Sequence, residues 1–324
     1  MRFRDNKISR YIFSLRVEEI IGLIFLVPTM IITVYANLYY FADETQRSVK
    51  LEGGLWRIGI TIILITIFYW FLWFKPEKRM FRWIREYAPF LFTIAIYTNL
   101  HDTIHFINPN DVHYMLAAWD EWLFGVQPTV WIEQFYHPVL TDWLSFAYMN
   151  YYWITLILVF WLYWEKRYVH FRTVMLSMMI SYYIGFFGYV TFPAASPYMV
   201  IPDLYSIDIW KGTSLMSESV QAIVSLSPDR ARDAFPSLHN AITLLTMVMA
   251  WRYNRIIFWI FVPIAISLVI STVYLRYHFV VDIFAGYGVT FLAIWLAPKL
   301  DNWWQSFQRG RGLVPDINPN GSAE

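Results

Sequence analysis

Two histidines 39 positions apart carry the clearest chemistry in the chain. His239 lies in Phe235-Pro236-Ser237-Leu238-His239-Asn240, and His278 in Tyr274-Leu275-Arg276-Tyr277-His278-Phe279-Val280-Val281-Asp282. If helix continues through His278 and Asp282, their i, i+4 spacing puts them on one face. The carboxylate can then accept a hydrogen bond from one imidazole nitrogen, fix the tautomer and leave the other nitrogen free to attack. An ionised Asp also stabilises the imidazolium that follows attack. Pro236 suits the first turn of a helix, so backbone N–H groups near Ser237 are expected to point outward and hold a phosphate, with the Ser237 hydroxyl as a further donor. His239 is then placed to protonate a leaving oxygen. One histidine attacking phosphorus and the other delivering a proton describes covalent catalysis through a phosphohistidine.

These motifs sit at the edges of apolar runs, and the composition says what the runs are. The chain has 324 residues, of which 58% are apolar, 20% aromatic and only 15% charged. Soluble domains carry roughly 25% charged residues, so this is an integral membrane protein. The net charge of +1 gives no reason to expect nucleic acid as a partner. The absence of cysteine removes disulfides, thiolate chemistry and cysteine-ligated metal. A span of hydrocarbon needs about 20 apolar residues in a helix. Eight segments qualify: 18–41, 55–74, 84–105, 142–164, 171–192, 237–253, 255–275 and 280–299. The fold class expected is therefore all-α, a polytopic bundle of about eight transmembrane helices. Arg2, Arg4, Lys7, Arg10 and Arg16 imitate a signal peptide, but the following apolar run is too long and lacks a small-x-small cleavage site. It reads as a retained helix.

Orientation follows from the basic residues. The N-terminal stretch, 75–85, 166–172, 252–255 and 299–311 hold 18 of the 25 Lys and Arg, which predicts both termini on the cytoplasmic side. His239 then opens the sixth span and His278 closes the seventh, so a helical hairpin brings both to the extracytoplasmic face. Residues 106–141 read as an interfacial amphipathic segment, and 193–236 as a long functional loop.

Phe235-Pro236-Ser237-Leu238-His239, and Ser271 followed by His278-x-x-x-Asp282, resemble the second and third motifs of the type 2 phosphatidic acid phosphatase superfamily. Leu238 and the Tyr-Leu-Arg-Tyr-His run resemble its inositol phosphorylceramide synthase-like branch. The resemblance covers 140–300 and implies a metal-independent helical membrane enzyme without a cofactor. In it His278 is the nucleophile, Asp282 its orienting carboxylate, His239 the proton donor, and Ser237 and Ser271 belong to the phosphate site. It also implies a lipid phosphate as substrate, with water or a hydroxyl as acceptor and a lean toward phospho-headgroup transfer. The family's first-motif cations are missing from Thr191-Phe192-Pro193-Ala194-Ala195-Ser196-Pro197-Tyr198, and Thr272 stands where an Arg usually follows Ser271. Phosphate needs compensating charge, and Arg276, Arg232 and Arg230 are the nearby cations.

The organisation expected is N-terminal spans and interfacial segment over 1–139, a catalytic core over 140–300 and a flexible cytoplasmic tail over 301–324. The short loops lean toward a prokaryotic plasma membrane. Three other readings are a simple lipid phosphate phosphatase, a non-catalytic transporter or scaffold on the same fold, and a zinc hydrolase using His101, His105 and His113 with Asp102. The last has no His-Glu-x-x-His arrangement behind it.

Overall fold

A computed structural model describes residues 7–42, 54–74, 79–100, 103–226 and 231–313. Helix makes up 81% of it, and among the described residues the sole β feature is a parallel bridge between Ala194 and Asp233. In chain order the helices are α1 (Lys7–Ser14), α2 (Val17–Ala42), α3 (Gly54–Phe74), α4 (Arg79–Leu100), α5 (Ile104–Ile107), α6 (His113–Phe124) and α7 (Pro128–Trp131). They continue as α8 (Pro138–Met149), α9 (Tyr151–Trp164), α10 (Tyr168–Thr191), α11 (Pro197–Val200), α12 (Leu215–Leu226), α13 (Leu238–Tyr253), α14 (Arg255–Tyr274) and α15 (Val280–Gly310). Apolar runs become helices here because a bilayer offers no water to unpaired backbone groups, and a helix satisfies them within one segment.

The described parts of the eight expected segments are helical over most of their length, and a full crossing asks for length as well as apolar character. Among the described residues four helices are long and apolar enough: Val17–Tyr39 within α2, α10, α14 and α15. A fifth forms if α8 and α9, bent by 42°, count as one span. α13 has 16 residues, about 24 Å of helix, which is short for the hydrocarbon core.

The chain divides into two compact units that interleave in sequence rather than parting near 139. One comprises 1–103, 166–180 and 295–324, the other 104–165 and 181–294. Buried ion pairs hold the first. Arg16 pairs with Glu86 and Arg85 with Glu19, both at 2.7 Å, and Arg172 reaches Glu18 at 3.2 Å and Asp301 at 3.4 Å. The flexible tail expected from 301 does not start there. α15 runs on to Gly310, because Trp304 donates to the Leu15 carbonyl and Gln308 to the carbonyls of Phe13 and Leu15.

The second unit is built around the α13–α14 hairpin. Asn254 ends one helix and starts the other: its N–H bonds to the Ala250 carbonyl, and its side chain accepts from Ile256 and Ile257 N–H. That double capping satisfies orphan groups of both helices with one residue. α15 packs against the start of α13 so closely that a Cβ at Gly286 would run into the Ser237 carbonyl. Thr290 fastens the same approach by donating to the Ala241 carbonyl at 2.7 Å. Gly286→Ala is therefore expected to destabilise the protein by about 1–3 kcal/mol through overpacking. Gly288→Ala, where nothing lies within 4 Å, should be neutral or slightly stabilising. Thermal unfolding of both variants in detergent measures the contrast, and equal effects would contradict it.

Candidate active site

The stretch that carries His278 is set by how α14 ends. The helix stops at Tyr274, Arg276 adopts a left-handed conformation (φ 63°), and the N–H groups of Tyr277 and His278 both return to the Thr272 carbonyl. Glycine usually fills such a position, since a Cβ there costs roughly 1–2 kcal/mol. Here the Arg276 side chain holds it. Its guanidinium forms a buried ion pair with Glu133, donates to the Ile207 carbonyl at 2.8 Å and lies 3.7 Å over the Tyr205 ring. Next in the chain, Phe279 is fully buried against Leu116, Ala194 and Ala234.

α15 then begins under a cap supplied from far away in sequence. Both carboxylate oxygens of the fully buried Asp120 accept from the N–H groups of Val280 and Val281, at 2.8 and 2.9 Å. Asp120 sits on the inner face of α6 with His113, Leu116 and Ala117. The opposite face of α6 leaves Tyr114, Trp119 and Trp122 exposed. A carboxylate at a helix N-terminus satisfies orphan donors and complements the helix dipole. Sequence reasoning placed Asp120 in an interfacial segment and missed this role. An acidic residue spaced with Leu116 and Ala117 on an apolar face was the available signal.

The second motif enters through a cis peptide between Phe235 and Pro236. Ser237 caps α13: its hydroxyl accepts from Asn240 N–H at 3.4 Å and from Asn240 Nδ2 at 2.9 Å. Asn240 Nδ2 also reaches the Thr272 hydroxyl at 3.0 Å, joining the start of α13 to the end of α14. Ser237 N–H donates to the Asp282 carbonyl at 3.0 Å, joining it to α15 as well.

Within that frame three side chains line up. His278 Nδ1 is 3.4 Å from Asp282 Oδ2, and His278 Nε2 is 3.3 Å from His239 Nδ1. Asp282 Oδ2 also accepts from Phe279 N–H at 2.9 Å. His239 Nε2 meets the Tyr148 hydroxyl at 3.0 Å, and the Tyr151 ring lies 4.4 Å from the imidazole. Ser237, Asp282 and His278 are all buried, while His239 keeps partial exposure. An open groove of about 470 Å³, lined by Trp119, Trp122, Leu123 and Val281, adjoins the turn that carries His278 and Asp282.

Burial lowers the His278 imidazole to a pKa of about 4, against the opposing pull of Asp233 and a hydrogen bond with the Ala234 backbone. A neutral ring keeps a lone pair for attack, so acidification from pH 7 should leave it competent until the pH falls toward 4. Histidine-ring NMR titration checks this, and a midpoint at or above the usual 6.5 would contradict it.

The described residues expected to clamp phosphate each have partners within the protein. Arg276 is turned into the Glu133 pair. Arg232 donates to Asp111 at 2.8 Å and to the Ala231 carbonyl at 3.0 Å. Ser271 is fully buried and donates to the Leu268 carbonyl at 2.7 Å. The N–H of Ser237, expected to point outward, is taken by Asp282. Arg230 lies outside the described residues. The stretch with the missing cations runs beside the second motif: Ala234 N–H donates to the Ala194 carbonyl at 3.0 Å.

Of the four residues in the zinc reading, two are described. His101 and Asp102 lie outside the described residues. His105 Nε2 instead bonds Asp111 at 2.8 Å, His113 approaches the same carboxylate at 3.7 Å, and Arg232 holds its other side. Among the described residues no group of three or more His, Asp or Glu is arranged to hold a metal ion. An arginine on the shared carboxylate is a cation in the place a metal would take.

Compared with known proteins, residues 115–296 match the sequence model of the PAP2 superfamily, more than half of the chain. No curated protein and no solved structure matches it.

Proposed function

Since the chain belongs to the PAP2 superfamily, whose chemistry is of the phosphatase or phosphotransferase type on lipid phosphates, we propose that it transfers a phospho-headgroup between lipids through a phosphohistidine. The approach of His239 Nδ1 to His278 Nε2, with Asp282 behind, is the observation that carries this reading. His278 Nε2 attacks phosphorus in line with the leaving oxygen, and Asp282 holds the ring and offsets its new positive charge. His239 gives a proton to the leaving group, and then takes one from the incoming hydroxyl. No metal enters these steps.

Transfer is favoured over simple hydrolysis by the electrostatics. Arg276 and Arg232 are each paired with a carboxylate, and the charge of Asp233 acts on His278. A site whose described arginines are both held by carboxylates suits the single charge of a phosphodiester better than the two of a monoester. The inositol phosphorylceramide synthase-like branch, which the Tyr274–His278 run resembles, is the matching member. The groove at Trp119 and Trp122 offers a course for an acyl chain beside the headgroup. The basic-residue distribution supports a site on the extracytoplasmic face, and the short loops support a prokaryotic plasma membrane.

The test is purified protein in detergent with a chelator, a phosphodiester lipid donor and a lipid monoester, each with and without a hydroxyl acceptor. A new phospholipid formed only with acceptor supports transfer. Free phosphate from the monoester alone would make the enzyme a phosphatase. Inertness on a broad panel would favour the transporter or scaffold.

A further inference from the structure

The histidine pair does not end at His239. Its Nε2, the nitrogen turned away from His278, meets the buried hydroxyl of Tyr148 at 3.0 Å. The Tyr148 ring stacks on the His239 ring at 5.0 Å and 28°, and on Tyr277, the neighbour of His278, at 4.6 Å and 9°. Tyr148 closes α8, far from either motif in sequence, and the resemblance assigns it nothing.

One tautomer assignment orders the row. With the proton of His278 on Nδ1, on the Asp282 side at 3.4 Å, a lone pair is left on His278 Nε2. His239 must then present Nδ1–H to that lone pair, and so carries a lone pair on Nε2. Tyr148 O–H is the donor that fills it. With the hydroxyl gone, the Nε2 lone pair is left unfilled and the His278 lone pair alone favours this tautomer of His239. The alternative puts two lone pairs face to face across 3.3 Å and leaves no proton where a leaving oxygen would need one.

Resting on the phosphohistidine reading above, we propose that Tyr148 is a positioning residue for the transfer reaction. By occupying Nε2 of His239, its hydroxyl keeps the proton on the nitrogen that faces the reacting centre. As that proton passes to the leaving oxygen, the hydroxyl proton shifts onto Nε2, so the ring stays neutral, and the proton of the incoming hydroxyl reverses both transfers. Tyr148 touches no reacting atom and acts through His239.

Tyr148→Phe keeps both ring stacks and deletes the hydroxyl alone. Two synthetic lipid-like phosphodiesters separate a positioning role from a structural one, one with an alkoxide leaving group and one with nitrophenolate, which departs without a proton. With the alkoxide, kcat of the variant should fall about 10- to 100-fold, the range of general-acid help, with KM little changed. With nitrophenolate it should stay within about threefold of wild type, since that step draws on no general acid. Equal loss on both substrates, or no loss on either, overturns the assignment. ¹⁵N-histidine NMR of the wild-type protein gives a second reading that needs no variant. Nδ1–H on His239 is expected, and Nε2–H overturns the proposal. His278→Ala in the same assays keeps the two ideas apart. If it retains wild-type rates on both substrates, the phosphohistidine reading falls. If it is inactive while Tyr148→Phe behaves as wild type, the Tyr148 assignment alone falls.

Discussion

His278→Ala is expected to lose at least about 10⁴-fold in turnover while the protein stays folded, because removing a nucleophile removes the whole covalent route. The backbone that positions His278 does not depend on its side chain. The N–H bond to the Thr272 carbonyl, the buried Phe279 and the Asp120 cap on α15 all remain in the variant. The side chain's polar neighbours are Asp282, His239 and the Ala234 backbone, so its deletion removes one backbone bond along with the chemistry. Thermal unfolding and turnover measured on one preparation separate the two. A variant that keeps a tenth of wild-type turnover would rule out His278 as nucleophile, and one that fails to fold would show that the turn depends on the imidazole.

Glu133→Ala should be the most damaging change outside the three aligned side chains, at about 3–5 kcal/mol of stability. The side chains of Arg276 and Glu133 are only 4% and 8% exposed. Losing the carboxylate would leave a guanidinium buried beside Tyr205, with the Ile207 carbonyl as its remaining polar partner among those described above. The position it must hold is also strained, because Arg276 has φ 63°. Two costs then fall on the residue two places before His278, and activity should fall with stability. Replacing both partners by leucine should recover most of the loss, since well-packed apolar pairs often equal buried ion pairs. Denaturation in detergent of the single and double variants measures this. A single-variant loss below about 1 kcal/mol would place the pair among those of little consequence.

The parts of this site that were legible in sequence are the ones that local rules govern. His278 and Asp282 are four apart at a helix start, and His239 follows a Pro-Ser start signal. The hairpin between them has nearly equal arms, so its ends meet. The partners of the cations were not legible, for the same reason in reverse. Arg276 is near His278 in sequence, but a left-handed residue points its side chain elsewhere, and its partner Glu133 lies 143 positions away. Arg232 likewise belongs to Asp111, 121 positions upstream. Asp120 and Tyr148 reach the site over 160 and 91 positions. No periodicity distinguishes Tyr148 among 23 tyrosines. Of the eight expected spans, α13 is helical and apolar yet short by a length criterion. The tail was misplaced because Trp304 and Gln308 find carbonyl partners near the other end of the chain.

Asn254, the single residue joining α13 to α14, has a consequence for how such a chain can change length. Each added residue in either arm turns everything beyond it by about 100° and moves it about 1.5 Å. One insertion between Leu238 and Tyr274 would swing one histidine off the line to the other, and no loop lies between the arms to take up the error. The interval between His239 and His278 thus behaves as a fixed ruler.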